Sequence, residues 1–190
     1  MSNVSRLGVM TNQELPIILI FGPSGTGKSS VGARGAQMFK FLHLETDRFP
    51  GDGFNLLAIR PEWEAFWLNC DALPLAQVVG GRARTSGHQG AIVTFPSRAV
   101  PSPAQLAAAT SVGMTPVVLH GKRSECLNSF LARENSTGRG LGADHWLLNN
   151  AAEHSAFDES RFEPFRVRVF EDGAFRDPSE ILQEVRARAG

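Results

Sequence analysis

The chain has 190 residues, enough for one domain with a full hydrophobic core and cramped for two. Its 19 basic and 19 acidic residues cancel, which excludes the strongly basic surface of a nucleic-acid binder and any pull toward anionic lipid; small or compact partners are expected. Cys70 and Cys126 have neither CxxC nor metal-ligand spacing, so free thiols in a reducing compartment are expected and a zinc site is not.

Residues 1–14 lack an apolar core of signal-peptide length, and no later stretch reaches about 18 uninterrupted apolar residues. The expectation is a soluble, cytoplasmic protein, monomer or dimer, with a polar tail over 1–14 and a single domain over 15–190. The run Ile17-Ile18-Leu19-Ile20-Phe21 reads as a buried parallel strand, and Ser30 to Phe39 reads as a helix. Between them, Gly22-Pro23-Ser24-Gly25-Thr26-Gly27-Lys28-Ser29 fits the pattern G-x-x-x-x-G-K-[ST] without a mismatch. Gly22, Gly25 and Gly27 can take positive φ and carry no Cβ, so successive N–H groups can turn inward around phosphate oxygens at the positive end of the helix. Lys28 is spaced to reach the β- and γ-phosphates, the Ser29 hydroxyl to ligate Mg²⁺, and Ser30 extends the cradle into the helix. The implied ligand is ATP with Mg²⁺.

A second short strand follows, Phe41-Leu42-His43-Leu44-Glu45, ending in the acidic pair Glu45 and Asp47. After a loop rich in Gly and Pro, Arg60-Pro61-Glu62 opens a helical region carrying Trp63, Phe66, Trp67, Leu68 and Leu73, with Gly80-Gly81 expected to close it. A third strand reads as Ala91 to Phe95 and is stopped by Pro96. Ser102-Pro103-Ala104-Gln105 has the form of a capping box for a short Ala-rich helix to about Thr110. Pro116 to His120 reads as the fourth strand and Ser124 to Glu134 as a helix, while 135–142 is too rich in Gly for a stable helix and is the candidate lid. A helix over His145 to Phe157, a fifth strand over Phe165 to Phe170 and a last helix capped by Asp177, with Ile181, Leu182 and Val185 as its apolar stripe, complete the chain. Strands alternating with helices predict an α/β protein with a parallel sheet in three layers and active-site residues at the carboxyl ends of its strands.

The phosphate loop, the Glu45-Thr46-Asp47 step and the Arg-bearing Gly-rich segment near 133–142 resemble the small P-loop kinases: shikimate kinase, gluconate kinase and the nucleoside monophosphate kinases. The resemblance runs in element order over nearly the whole chain, and only the phosphate loop is a strong motif alone. It implies a P-loop NTPase fold with five parallel strands in the order 2-3-1-4-5, an acceptor region between strands two and three, and a lid at about 135–144. By that resemblance Asp47 orients and deprotonates the attacking hydroxyl, Glu45 acts on the metal through water, and Arg133 and Arg139 contact ATP or the transferring phosphoryl group.

Each assignment has a plainer alternative. Asp47 also suits a helix N-cap, Arg133 a solvated helix surface, and Trp63, Trp67 and His145-Trp146 a core rather than an aromatic acceptor pocket with Phe49. Thr94-Phe95-Pro96-Ser97-Arg98 departs from the family pattern because it carries no acid at the end of strand three. It resembles the Phe-Pro-Arg step of nucleoside monophosphate kinases, which makes Arg98 a candidate for holding the acceptor and equally a loop arginine. The glycine-rich step of shikimate kinase is missing there, which argues against shikimate as acceptor. Glu171 to Asp177 is the candidate adenine loop, although Asp172-Gly173 is also a turn signal. The reading is thus an ATP-dependent kinase for a small hydroxylated molecule. Its alternatives are a nucleoside, nucleotide or antibiotic kinase and a non-catalytic ATP-binding regulatory protein.

Overall fold

β1 (Ile17–Phe21) is apolar and buried at every position, as a strand covered on both faces must be. In the computed structural model, which describes residues 15–46 and 59–188, this strand is the centre of the sheet. It pairs in parallel with β3 (Gly90–Thr94) on one side and β4 (Met114–His120) on the other. β2 (Phe41–Glu45) adds outside β3 and β5 (Arg166–Arg168) outside β4, giving the expected order β2-β3-β1-β4-β5. The register sets Ile20 and Glu45 both against Thr94, so the carboxyl ends of β1, β2 and β3 finish in one row. Pro116 is accommodated inside β4 because β5 pairs only with Val118 to His120, leaving that stretch an edge on one side.

Alternation along the strands feeds two cores. Ile18, Ile20, Ile92 and Leu119 face Val31 of α1 (Lys28–Phe39), Cys126 and Phe130 of α5 (Arg123–Thr137), and Ile181, Leu182 and Val185 of α7 (Pro178–Ala187). Leu19, Phe21, Val93, Phe95 and Val118 face Phe66 of α2 (Arg60–Asn69), Leu75, Val79 and Ala83 of α3 (Leu73–Thr85), and Leu106 and Ala109 of α4 (Pro103–Ser111). α6 (Ala143–Phe157) gives Trp146 to the first core and Phe157 to the second. None of the helices of the described residues is long and apolar enough to cross a membrane.

Several boundaries differ from expectation. The single helical region before β3 is two helices: Cys70 turns into the left-handed region at φ 54, and Pro74 restarts the helix within its first turn. Gly80-Gly81 lies inside α3 instead of ending it, because burial of Leu75, Val79 and Ala83 along one face outweighs the weak helix propensity of two glycines. α5 runs on to Thr137: Ser136 Oγ and Thr137 Oγ1 donate to the Arg133 carbonyl at 2.8 and 3.0 Å, and Gly138 at φ 70 caps it. The irregular part of the expected lid is therefore only residues 138–142. β5 is shorter than expected: Phe165 closes a 3-10 turn (Ser160–Phe165), and Phe170 opens a hairpin of β6 (Phe170–Glu171) and β7 (Ala174–Phe175). Asp172 and Gly173, at φ 49 and 80, form its two-residue turn.

Candidate active site

The loop from Gly22 to Ser29 leaves β1 and enters α1 with Gly22, Gly25 and Gly27 at φ 141, 93 and 71. Each is also walled in: a Cβ would collide with the Leu119 carbonyl at Gly22, with the Cys126 carbonyl at Gly25 and with the Phe175 ring at Gly27. Thr26 is fully buried and its hydroxyl donates to the Pro23 carbonyl at 2.8 Å, pinning the bend. Lys28 Nζ donates to the Gly22 and Pro23 carbonyls at 2.8 and 3.0 Å, so its ammonium sits over the loop. Ser29 and Ser30 are exposed on the first turn of α1. Among the described residues no side chain caps that turn and none of its residues is acidic, so the helix start carries no negative side chain to offset its dipole. From across the fold, Trp146 Nε1 donates to the Ser24 carbonyl at 3.4 Å.

Glu45 ends β2 in the row opposite Thr94. Thr46 is buried, and both its N–H and its hydroxyl donate to the Thr94 carbonyl, at 3.0 and 2.9 Å, so the chain leading to Asp47 leaves the sheet from a fixed point. Asp47 and Phe49 lie outside the described residues. β3 ends in Thr94 with no carboxylate, as its sequence requires. Arg98 is exposed on the following turn, which Ser97 ties to Asn150 by a 3.1 Å bond from its hydroxyl to Asn150 Oδ1. Trp63 stacks on Phe95 at 5.0 Å, Phe95 on Phe21 at 4.3 Å, and Trp67 meets Phe95 edge-on at 5.9 Å. Trp63 and Trp67 thus pack against the second core, and Trp146 is fully buried in the first. Exposed His145 stacks over Phe130 at 6.4 Å.

Arg133 and Arg139 meet at a residue that the sequence did not single out. Glu134 is fully buried; its Oε1 accepts from Arg133 Nε at 3.0 Å and Nη2 at 2.7 Å, and Arg139 Nε stands 3.9 Å from its Oε2. Both arginines remain half or more exposed, and Arg133 lies over the Phe130 ring at 5.1 Å. The Cys126 carbonyl against Gly25 shows that α5 starts beside the phosphate loop, so Arg133 is roughly 10 Å along the helix from that contact.

Behind the loop, Asp158 bridges two histidines: His120 Nε2 at 2.9 Å and His154 Nδ1 at 3.3 Å, with His154 Nε2 3.1 Å from the Gly121 carbonyl. Burial, with Glu125 and Asp158 nearby, pushes the Cys126 thiol up to about 12 against a smaller opposing pull from Lys28. Cys126 is accordingly a neutral packing group. His154 and Glu134 escaped sequence reading, and Trp146 was read as core without its bond to the loop, because each acts on a backbone or guanidinium that only the fold brings near. The signal available was a Trp or His at helical spacing, which is also what a core residue looks like.

Ser29 offers a hydroxyl and Glu45 a carboxylate, hard oxygens of the kind that suits Mg²⁺. No group of three or more His, Cys, Asp or Glu among the described residues forms a closed metal cage. Ser29 and Glu45 fit an ion that is held mainly by phosphate oxygens and water.

No protein-family model and no curated protein sequence matches the chain. Among solved structures, it resembles a gluconokinase from Sinorhizobium meliloti, at 21% identity over 93% of this chain and 92% of that one, with a TM-score of 0.50. It is also similar to a sugar kinase from a Janibacter species (14% identity, 92% and 94% covered, TM-score 0.49). A third is a shikimate kinase from Bacteroides thetaiotaomicron (12%, 91% and 96%, 0.48). The sheet order, the glycine-walled loop at the end of β1 and the match along nearly the full length of the gluconokinase give this chain the fold of the small-molecule P-loop kinases.

Proposed function

We propose that this protein is an ATP-dependent phosphotransferase that moves the γ-phosphoryl group of ATP to a hydroxyl of a small molecule. The observation that carries this reading is the loop Gly22–Ser29, whose three positive-φ glycines, uncapped helix start and overlying Lys28 form a cradle for a chain of phosphates. The likeness to a gluconokinase supports a polyhydroxylated acceptor as the first class to test.

In the proposed reaction the acceptor oxygen attacks the γ-phosphorus, the bond from that phosphorus to the β–γ bridging oxygen breaks, and ADP leaves with that oxygen. Asp47 takes the hydroxyl proton, while Arg98 holds the acceptor. Lys28 and the first-turn N–H groups of α1 hold the triphosphate, and Arg133 and Arg139 meet the charge on the transferring group. Ser29, with Glu45 acting through water, would hold Mg²⁺, which would supply charge neutralisation to the triphosphate. The chain is read as a cytoplasmic enzyme, monomer or dimer, with 138–142 as its closing segment.

A second reading, an ATP-binding protein that transfers nothing, is favoured by Thr94 standing where an acid would end β3. ADP release measured against sugars and polyols, nucleosides, nucleoside monophosphates and aminoglycosides separates the two. One acceptor class should stimulate release, and Lys28→Ala should cut that rate at least about a hundredfold with the fold intact. Tight ATP binding with no stimulation by any acceptor would select the second reading.

A further inference from the structure

Glu134 is fully buried, and a carboxylate removed from water is tolerated only when its charge is met. Its two oxygens are met unequally. Oε1 accepts two hydrogen bonds from Arg133, whereas Oε2 accepts none, and the Arg139 guanidinium stands 3.9 Å away on a side chain about two-thirds exposed. A shift of about 1 Å would convert that contact into a charge-assisted hydrogen bond. The segment carrying Arg139 can make it: Gly138 and Gly140 have φ 70 and 67, and nothing lies within 4 Å of where a Cβ would stand at Gly138, Gly140 or Gly142.

We propose that Glu134 is the positioning residue for both arginines: Oε1 holds Arg133 in place, and Oε2 takes Arg139 when residues 138–142 close over a bound triphosphate. The inference rests on the reading of Arg133 and Arg139 as phosphate-contacting groups. Two guanidinium groups side by side repel; one buried carboxylate between them removes that cost and leaves their remaining N–H donors for phosphate oxygens. The open state thus contains a half-satisfied anion that only closure completes, and closure is coupled to the nucleotide because the same cations serve both.

Hydrogen exchange of residues 138–144, with and without Mg²⁺ and the non-hydrolysable analogue AMP-PNP, tests this without an acceptor. In the native protein the analogue should slow exchange there at least about fivefold. Glu134→Gln should still bind AMP-PNP by calorimetry yet lose that protection, and Glu134→Asp, which keeps the charge, should retain it. A purely packing role predicts instead that Glu134→Gln, nearly identical in shape, protects like the native protein, and that result would overturn the proposal. Binding by the native protein without protection at 138–144 overturns it too. Failure of the native protein to bind AMP-PNP at all sinks the phosphate-loop reading as well and is recognisable as that separate failure. Should Glu134→Gln not fold, Glu134→Asp decides: protection retained with binding supports the proposal, and protection lost while the analogue still binds overturns it.

Discussion

The indole N–H of Trp146 donates to the carbonyl of Ser24 across 122 residues of sequence, joining the start of α6 to the phosphate loop. Trp146 is fully buried, so this bond and the packing around it hold Ser24 from behind. Trp146→Phe keeps most of the ring packing and removes the donor. Loss of a neutral hydrogen bond of about 1 kcal/mol should weaken ATP binding about fivefold. The smaller ring should also lower stability by roughly 1–3 kcal/mol. Calorimetric titration and thermal unfolding separate the two effects, and an unchanged affinity beside a lowered Tm would show that the bond does not bear on the loop.

Gly25 and Gly81 make opposite expectations for one substitution. At φ 93, with the Cys126 backbone carbonyl in the way, alanine at 25 forces the loop to move and stores about 1–3 kcal/mol of strain. Gly25→Ala should weaken ATP binding at least about tenfold. Gly81 sits in α3 without positive φ and with nothing within 4 Å, so Gly81→Ala should raise stability by roughly 0.5–1 kcal/mol and leave binding alone. Chemical denaturation of both variants checks the pair; equal destabilisation would contradict the stated backbone argument.

What could be read from the sequence was what local chemistry alone specifies. The loop Gly22–Ser29 was legible because a phosphate cradle needs glycine at fixed positions, and β1 and β3 because buried parallel strands are nearly continuous apolar runs. The Ser102–Gln105 capping box was legible because both of its hydrogen bonds join residues three apart. The break at Cys70 was not, since a non-glycine in the left-handed region leaves no compositional mark. The hairpin's turn was signalled by Asp172-Gly173, but the end of β5 was hidden inside one long alternating run, where Val169 donates to the His120 carbonyl as though β5 continued and then accepts from Arg176. Arg133 and Arg139 could be singled out by type, but the buried Glu134 beneath them could not, because burial of an acid contradicts every local preference it has.

Glu45 gives a test of the metal assignment that does not need the acceptor. Glu45→Gln keeps the shape of the β2 end and removes its charge. The concentration of Mg²⁺ needed for half-maximal nucleotide-linked fluorescence change should rise about tenfold, while ATP binding in EDTA stays within about twofold. Ser29→Ala should act in the same direction. If neither variant shifts the Mg²⁺ requirement, the ion is held without these side chains and the assignment is wrong.

Cys126 makes the stability of the fold depend on alkaline pH in a definite direction. Its thiol titrates ordinarily at 9.0 and is pushed by burial to about 12 in the folded protein. Between those values the unfolded chain loses the proton and the folded chain keeps it, so the folded state binds more protons and stability must fall as pH rises. The contribution is complete below pH 9.0 and is lost progressively toward about 12. Cys126→Ala removes the group and should flatten that slope in denaturation midpoints measured from pH 8.5 upward, whatever it costs in packing. Alkylation supplies the independent check: at pH 8.5 iodoacetamide should label half-buried Cys70 in the native protein and reach Cys126 only after unfolding. Native labelling of Cys126 at a rate matching Cys70 would mean that its thiolate is accessible, and the expected alkaline slope would then have no source.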